Sequence, residues 1–396
     1  MTLQPSIQQP DHPTATLGVL GVLGGGQLGR MFVHAAQTLG FRTAVLDPDP
    51  DSPAGRVSHL HLQAPYTDEA ALAEMARVCQ AVTTEFENVP AQALRALAAH
   101  RPVAPSADAV ATCQHRAQEK AHFTACGVPC VPCARLESAA ELADVSDALF
   151  PAILKTSTLG YDGKGQVRVA QRADLAPAWA SLGRVPCLLE KRVALAAELS
   201  VVVARDAAGQ VVHLPVQQNL HRDGILAVTL VPAPDVPAEV AAQAVQRATA
   251  VAESLGYVGV LCVEFFLLEH GTLLANEMAP RPHNSGHYSI DACDLSQFDL
   301  QVRAMAGLPL VMPRQHSAAV MLNLLGDLWW GADSASPVTP PWGDVLALPG
   351  THLHLYGKTE PRRGRKMGHL TVTADTPAQA RAVALQAATL LCLPPF

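Results

Sequence analysis

Glu264 and Glu277 stand on either side of a short polar turn, His270-Gly271, in a stretch otherwise made mostly of Val, Phe, Leu and Ala. Apolar runs flanking such a turn read as a β-hairpin. A turn centred between His270 and Gly271 sets the two glutamates directly opposite one another. Like charges facing across a ladder destabilise it, and burying them among Leu and Phe costs more. A hard, oxygen-seeking cation such as Mg²⁺ (or Mn²⁺) resolves both problems, because it binds through one or two carboxylates together with substrate phosphates. Just downstream, Arg281, His283 and Asn284 supply donors suited to a small anion. A plainer reading turns one glutamate to solvent or pairs it with an arginine. Two facing glutamates followed by an Arg-His-Asn cluster favour the metal.

A second set of residues lies upstream. Gly160-Tyr161-Asp162-Gly163-Lys164-Gly165, running into Gln166, is a glycine loop between two apolar runs. Glycine lets a backbone approach and flex, so the loop amides could close over phosphates. Lys155 ends the strand before the loop, where a compact ammonium could reach the α and β phosphates. Arg outnumbers Lys 22 to 6, which makes each retained lysine informative. The loop is not a P-loop, since no Gly-Lys-Ser/Thr opens a helix there, and a glycine hairpin alone is more often an ordinary turn. Further on, Glu190 and Lys191 close an extended apolar segment whose backbone could read adenine, with Glu198 in reach of a ribose diol. Taken alone, that segment reads as an edge strand with charged outward positions.

These residues need a scaffold, and the chain's periodicity describes one. Residues 17–23 form a buried parallel strand, and Gly24, Gly26 and Gly29 satisfy G-x-G-x-x-G ahead of a helix to about residue 39. A strand ending at Asp47 completes a Rossmann-like β-α-β unit. Alternation continues through 81–88 and 102–105, and a first domain ends near 110–115. A helix over 108–126 leads to strands at 152–155, 166–170 and 187–191. From Glu198 the pattern turns antiparallel, with strands at 199–204, 211–216 and 225–231, then a long helix over 237–255 before the glutamate hairpin. A Ser/Pro-rich connection at 334–341 precedes a small terminal unit holding Lys358 and Arg365. The fold class is α/β at the start and α+β beyond.

At 396 residues, 49% hydrophobic and 5% aromatic, the chain suits a multi-domain enzyme. A scattered net charge of −7 argues for neither a nucleic-acid nor a membrane-surface partner. No apolar run approaches the ~20 residues needed to cross a bilayer. Residues 1–16 are polar and hold three prolines, which reads as a disordered extension rather than a secretory signal. Nine cysteines, an odd number, indicate reduced thiols in a cytoplasmic protein. His122, Cys126, Cys130 and Cys133 include a C-x-x-C, but a helix exit running into a strand would splay the thiols. They read as buried small hydrophobes rather than a metal site.

The order of parts (lysine strand, glycine loop, Glu-bearing linker, ribose Glu, paired carboxylates ending Asn276-Glu277) resembles the ATP-grasp family. More narrowly it resembles the branch that carboxylates 5-aminoimidazole ribonucleotide to its N5-carboxyamino form with ATP and bicarbonate, in purine biosynthesis. The segments carrying the likeness are 24–31, 84–90, 160–166, 219–225, 276–286, 356–358 and 365–369, so it spans about 17–391. The departures are Leu159, where a first loop glycine is common, and the cysteines at 126–133.

The resemblance implies a Rossmann-like domain over 17–115, a lid subdomain over 116–195, a central subdomain with the metal over 196–335 and a small C-terminal domain over 336–396. It implies ATP held by Arg116, Lys155, the 160–166 loop, the backbone around Glu190, Lys191 and Val193, Glu198, His221, Asn276 and Glu277, with Mg²⁺ on Glu264 and Glu277. The ribonucleotide would meet Gln27, Leu28, Glu85, Asp162, Lys358 and Arg365. Arg281, His283 and Asn284, with Asp162, would handle bicarbonate and carboxyphosphate. Relatives imply a homodimer. The rivals are another ATP-grasp ligase, such as a formate-using phosphoribosylglycinamide transformylase or a biotin carboxylase, a nucleotide sensor, and, from the glycine fingerprint, an NAD-dependent oxidoreductase.

Overall fold

The first sheet is parallel, in the order Leu60–Leu62, Arg42–Leu46, Val19–Leu23, Ala81–Thr84. Its strands are Val-, Leu- and Ala-rich without alternation, as strands covered on both faces must be. The chain leaves Val19–Leu23 through Gly24, whose φ of 101° is left-handed, and enters the helix Gln27–Thr38. Leu28, Met31, Phe32 and Ala36 recur at helical spacing and are buried against the sheet. The computed structural model describes residues 17–158, 160, 165–330 and 336–396. The N-terminal extension, Leu159 and the loop residues Tyr161, Asp162, Gly163 and Lys164 lie outside the described residues.

The expected single helix over 108–126 is two helices, Ala107–Cys113 and Arg116–Ala125. The break is at His115, whose backbone is extended, and the Gln114 amide just before it donates to the carbonyls of Glu87 and Val89 at 2.7 and 2.8 Å. The break puts Arg116 on the first turn of the second helix, its backbone N–H bonded to Ser157 O at 2.9 Å. A four-stranded antiparallel sheet follows, ordered Cys133–Leu136, Cys187–Lys191, Ala152–Thr156, Gln166–Val169. The Glu190 strand is therefore interior to this sheet, not an edge.

The third sheet has nine strands, all antiparallel. Among the described residues it runs from the glutamate hairpin (Gly259–Leu268 and Leu273–Ala279) through Leu195–Arg205, Gln217–Arg222, Ile225–Val231 and Ala318–Leu325 to Lys366–Ala374 and Thr351–Leu355, with Val211–His213 paired to Leu195–Arg205 off that path. The helix Ala238–Ser254 covers one face with Ala244, Ala248, Val251 and Ala252. The helix Gln297–Ala306 serves two cores: Phe298, Val302 and Met305 meet the first domain's helix, while Leu300 and Ala304 pack on the nine-stranded sheet. It starts on a Ser296/Asp299 capping box and ends at Gly307 in the left-handed region.

Candidate active site

Glu264 and Glu277 are paired across the hairpin, but not by the turn the sequence suggests. Leu268 N–H bonds Thr272 O at 2.9 Å, so the loop is centred on His270 itself. Phe265 then faces Ala275, and a straight ladder would set Asn276 opposite Glu264. A register shift between Glu264 and Phe265 leaves Asn276 as the extra residue and brings Glu277 into the facing position. The bulge thus selects which residue opposes Glu264.

Glu264 is 7% exposed; burial and the facing Glu277 push its carboxyl up to about 7. Burial also works against ionisation of Glu277, but Arg116 and Lys155 override it and hold that carboxyl well below the usual range. Arg116 Nη1 lies 3.2 Å from Glu277 Oε2, and its Nη2 donates to Gly160 O at 3.4 Å. The donor set is all oxygen, the two acids repel, and Asn276 Oδ1 beside them is buried with no protein partner. These features fit a hard divalent cation.

Lys155 Nζ donates to Glu190 Oε2 at 2.6 Å, and Lys120 Nζ lies 3.2 Å from Glu190 Oε1. Burial opposes the charge on Glu190, yet the two lysines win and hold it down at about 2. Lys120 Nζ also donates to Asn276 O, tying the Glu190 strand to the bulge. Gly165 closes the described end of the loop onto Lys155: its carbonyl accepts from Thr156 N–H at 2.8 Å, and Gln166 pairs with Lys155 in the ladder. Lys191 N–H donates to Pro132 O at 2.9 Å. Val193 packs beside Val131, Leu268 and Leu274. Glu198 Oε2 sits 2.6 Å from His221 Nδ1. Burial would drive that imidazole down, but Glu198 and Glu264 lift it to about 9, so it is a cation at neutral pH.

On the other side of the pair, Glu87 receives Arg281 Nε at 2.5 Å. His283 Nδ1 accepts from Ser285 N–H at 3.3 Å, which places the ring proton on Nε2, 3.3 Å from Glu264 Oε1. Burial, with Arg281 and Lys366 nearby, drives its pKa well below the ordinary value, so His283 is neutral. Asn284 is 5% exposed, and both its amide O and N lack a protein partner.

The first domain meets this centre through its glycine turn. Glu85 Oε1 accepts from Gly26 N–H at 2.8 Å and Oε2 from Gly29 N–H at 3.1 Å. Those are the amides a pyrophosphate would use, so a side chain fills the anion position of the fingerprint. Asp47 Oδ2 accepts from Gly25 N–H and the Tyr66 hydroxyl, both at 2.7 Å, rather than facing a ribose. This glycine turn is structural, and the dinucleotide reading loses its support. Lys358 Nζ crosses to donate to Gln27 Oε1 at 2.7 Å. Leu28 buries its side chain in the core. Arg365 donates to Glu360 O at 3.1 Å in its own loop.

Sequence reasoning missed several participants. Glu119 and Lys120 share a helix face with the expected Arg116 by their spacing, a signal that was available. Burial pushes the Glu119 acid up to about 8, and its Oε1 accepts from Met278 N–H at 2.6 Å, next to Glu277. Glu87 and Gln297 sit within ordinary-looking runs, and nothing local marks them. The cysteine reading needs one correction: Cys126 and Cys130 pack partly buried on the core, but Cys133 is exposed. Cys133 lies at the start of an edge strand, with one flank to solvent.

Three family patterns match the chain in succession: a ribonucleotide synthetase preATP-grasp domain over 17–114, an ATP-grasp domain over 121–298, and a phosphoribosylaminoimidazole carboxylase C-terminal domain over 319–383. N5-carboxyaminoimidazole ribonucleotide synthase of Brucella melitensis is 42% identical over 359 residues, covering 89% of this chain and 95% of its own. The Bacillus subtilis protein of the same name is 39% identical over 354 residues, covering 89% and 90%. The crystal structure of the Aspergillus clavatus enzyme in complex with ADP and 5-aminoimidazole ribonucleotide superposes with a TM-score of 0.86 at 33% identity, covering 95% of this chain and 98% of that one. With like folds, parts in the same order and this identity over nearly its whole length, the chain belongs to the N5-carboxyaminoimidazole ribonucleotide synthase family of ATP-grasp proteins.

Proposed function

We propose that this protein uses ATP and bicarbonate to carboxylate the exocyclic amine of 5-aminoimidazole ribonucleotide. The observation that carries the reading is the arrangement around Glu264 and Glu277. Cations from the nucleotide side (Arg116, Lys155) and anion-binding groups from the other (Arg281, His283, Asn284) flank one carboxylate pair. Arg116, Lys155 and the 160–166 loop would bind the phosphates, the backbone at Glu190–Val193 the adenine, and Glu198 the ribose. Glu264 and Glu277 would hold Mg²⁺, which when bound neutralises charge on the transferring phosphoryl group.

Bicarbonate, held by Arg281 and Asn284, attacks the γ-phosphorus through an oxygen; the bond to the bridging β–γ oxygen breaks and ADP leaves. The neutral His283 donates through Nε2 without placing a second cation against Arg281. Carboxyphosphate is labile in water, so closure of the glycine loop serves to exclude solvent. The amine nitrogen then bonds to the carboxyl carbon, the bond from that carbon to the phosphate oxygen breaks, and the departing phosphate accepts the amine proton. Gln27, Lys358 and Arg365 would orient the ribonucleotide through its 5′-phosphate. The nine free thiols support a reducing, cytoplasmic setting, and we carry the family's homodimer as part of the reading, to be measured by light scattering.

The test is ADP release with bicarbonate, Mg²⁺ and candidate amines. Release that requires bicarbonate, and product only with aminoimidazole ribonucleotide, is expected. Release driven by formate with a glycinamide ribonucleotide would overturn the assignment in favour of the transformylase.

A further inference from the structure

Between the anion pocket and the glycine turn runs a continuous row of buried side chains for which the chemistry above has no use. Gln297, fully buried, spends its whole amide. Its Oε1 accepts from His283 N–H at 2.8 Å, and its Nε2 donates to His283 O at 2.8 Å and to His287 Nδ1 at 3.0 Å. One side chain therefore fixes both backbone groups of His283. A Cβ at position 286 would come within 2.5 Å of that Oε1, so Gly286 leaves it the room to do so. His287 stacks on Phe298 at 5.8 Å and lies 4.8 Å from the His369 ring. His369 Nδ1 is 2.9 Å from the Tyr356 hydroxyl. The Tyr356 ring underlies Lys358 Nζ at 5.7 Å, and that ammonium bonds Gln27 Oε1. His287, Tyr356 and His369 are all 1% exposed or less.

Asp291 and His354 flank this row and, with His369 inside it, bring three potential metal-binding atoms within 4.8 Å of one another. The two imidazoles, however, lie face to face at 4.4 Å and 11°, so no point close to both nitrogens lies in both ring planes. Asp291 Oδ2 already bonds His354 Nε2 at 2.9 Å. The cluster is a wall for the row rather than an ion site.

We propose that Gln297, His287, His369 and Tyr356 are positioning residues that set the spacing between the anion pocket at His283 and the ribonucleotide pocket at Lys358 and Gln27. This rests on the activity proposed above. A short-lived acyl phosphate made in one pocket must meet an amine held in the other, and an offset of an ångström is enough to lose much of the advantage of proximity. The row consists of stiff planar groups, each locked by a bond or a ring contact, which suits a spacer.

The test compares ADP released with aminoimidazole ribonucleotide consumed, at saturating substrates, in the wild-type enzyme, Tyr356→Phe and Gln297→Met. Tyr356→Phe deletes one hydroxyl and keeps the ring, so it is the variant expected to fold without difficulty. In the wild type the two initial rates, read before the carbamate product can lose CO₂ and return the amine, should be equal. In each variant ADP should exceed ribonucleotide consumed by roughly two- to threefold, as carboxyphosphate is lost to water before capture. The double variant should be no worse than the worse single one, since both cuts open the same row. A merely structural role lowers both rates in parallel and leaves their ratio at the wild-type value. That outcome in Tyr356→Phe overturns the proposal, and so does an unchanged enzyme. A wild type that consumes no ribonucleotide overturns the activity itself, a failure distinct from an unmoved ratio in an active enzyme.

Discussion

Glu190 shows how one buried acid can organise a site it does not enter. It is 3% exposed, which alone would neutralise it, yet Lys155 at 2.6 Å and Lys120 at 3.2 Å keep it ionised. Removing one member of a buried charge group leaves the others unpaired, so Lys120→Met should cost about 3 kcal/mol at neutral pH. The folded carboxyl titrates near 2 against an ordinary 4.5. Its contribution is therefore complete at neutral pH and fades only as pH falls from the ordinary carboxylate range toward 2. Urea melts of wild type and Lys120→Met should differ most at pH 7 and converge in acid; coincident midpoints at pH 7 would remove the argument. Glu277 answers to a different measurement. Its carboxylate faces Glu264 and is set there by a bulge, so Glu277→Gln should abolish bicarbonate-dependent ADP release. Its circular dichroism should stay close to wild type, while its melting point should fall at neutral pH, because the charge that Arg116 and Lys155 hold in place is lost with it. A Glu277→Gln enzyme with most of its turnover would show that no essential cation sits there.

Among the elements, the helix Gln297–Ala306 carries more of the architecture than its ten residues suggest. Phe298, Val302 and Met305 enter the first domain's core, while Gln301 stitches the two sheets together. Its Oε1 accepts from Val260 N–H at 2.6 Å, and its Nε2 donates to the Thr83 hydroxyl at 2.8 Å. Gln301→Met keeps the volume and strands a buried N–H, so it should destabilise by about 2 kcal/mol. The first domain should lose protection in hydrogen exchange along with the central one, and loss confined to the Val260 strand would mean the stitch does not couple them. Little of this was legible in the chain. Strands and helices announced themselves where periodicity was strong: the parallel run before Gly24, the Ala-rich helix at 238–254 and the glutamate hairpin. What depended on a side chain reaching a partner set by the fold rather than by local spacing was not. Gln114 capping the carbonyls of Glu87 and Val89, Glu85 filling the glycine turn's anion site and Gln297 gripping His283 all join residues that no local spacing connects. The bulge at Asn276 escaped for another reason. A turn centred half a residue further on shifts the ladder register by one, and the extra residue compensates, so the right pair comes out of the wrong register.

At the scale of the molecule, the opposed acids make a testable statement about linkage. In the free protein Glu264 and Glu277 repel, and burial lifts the Glu264 acid to about 7. Anything that brings positive charge between them, and binds only the folded chain, must raise the melting temperature. Ligand at a hundred times its Kd adds about 2.7 kcal/mol. ATP without a divalent ion brings more negative charge to the pair, so ATP with EDTA should stabilise far less than Mg-ATP, and Mg²⁺ alone less than both together. NAD⁺ should produce no shift, because the amides of Gly26 and Gly29 are already taken by Glu85 and cannot receive its pyrophosphate. Differential scanning fluorimetry of the four conditions separates the readings. An equal shift with and without EDTA would detach the nucleotide from the carboxylate pair, and a shift with NAD⁺ would mean that Glu85 can be displaced from the turn.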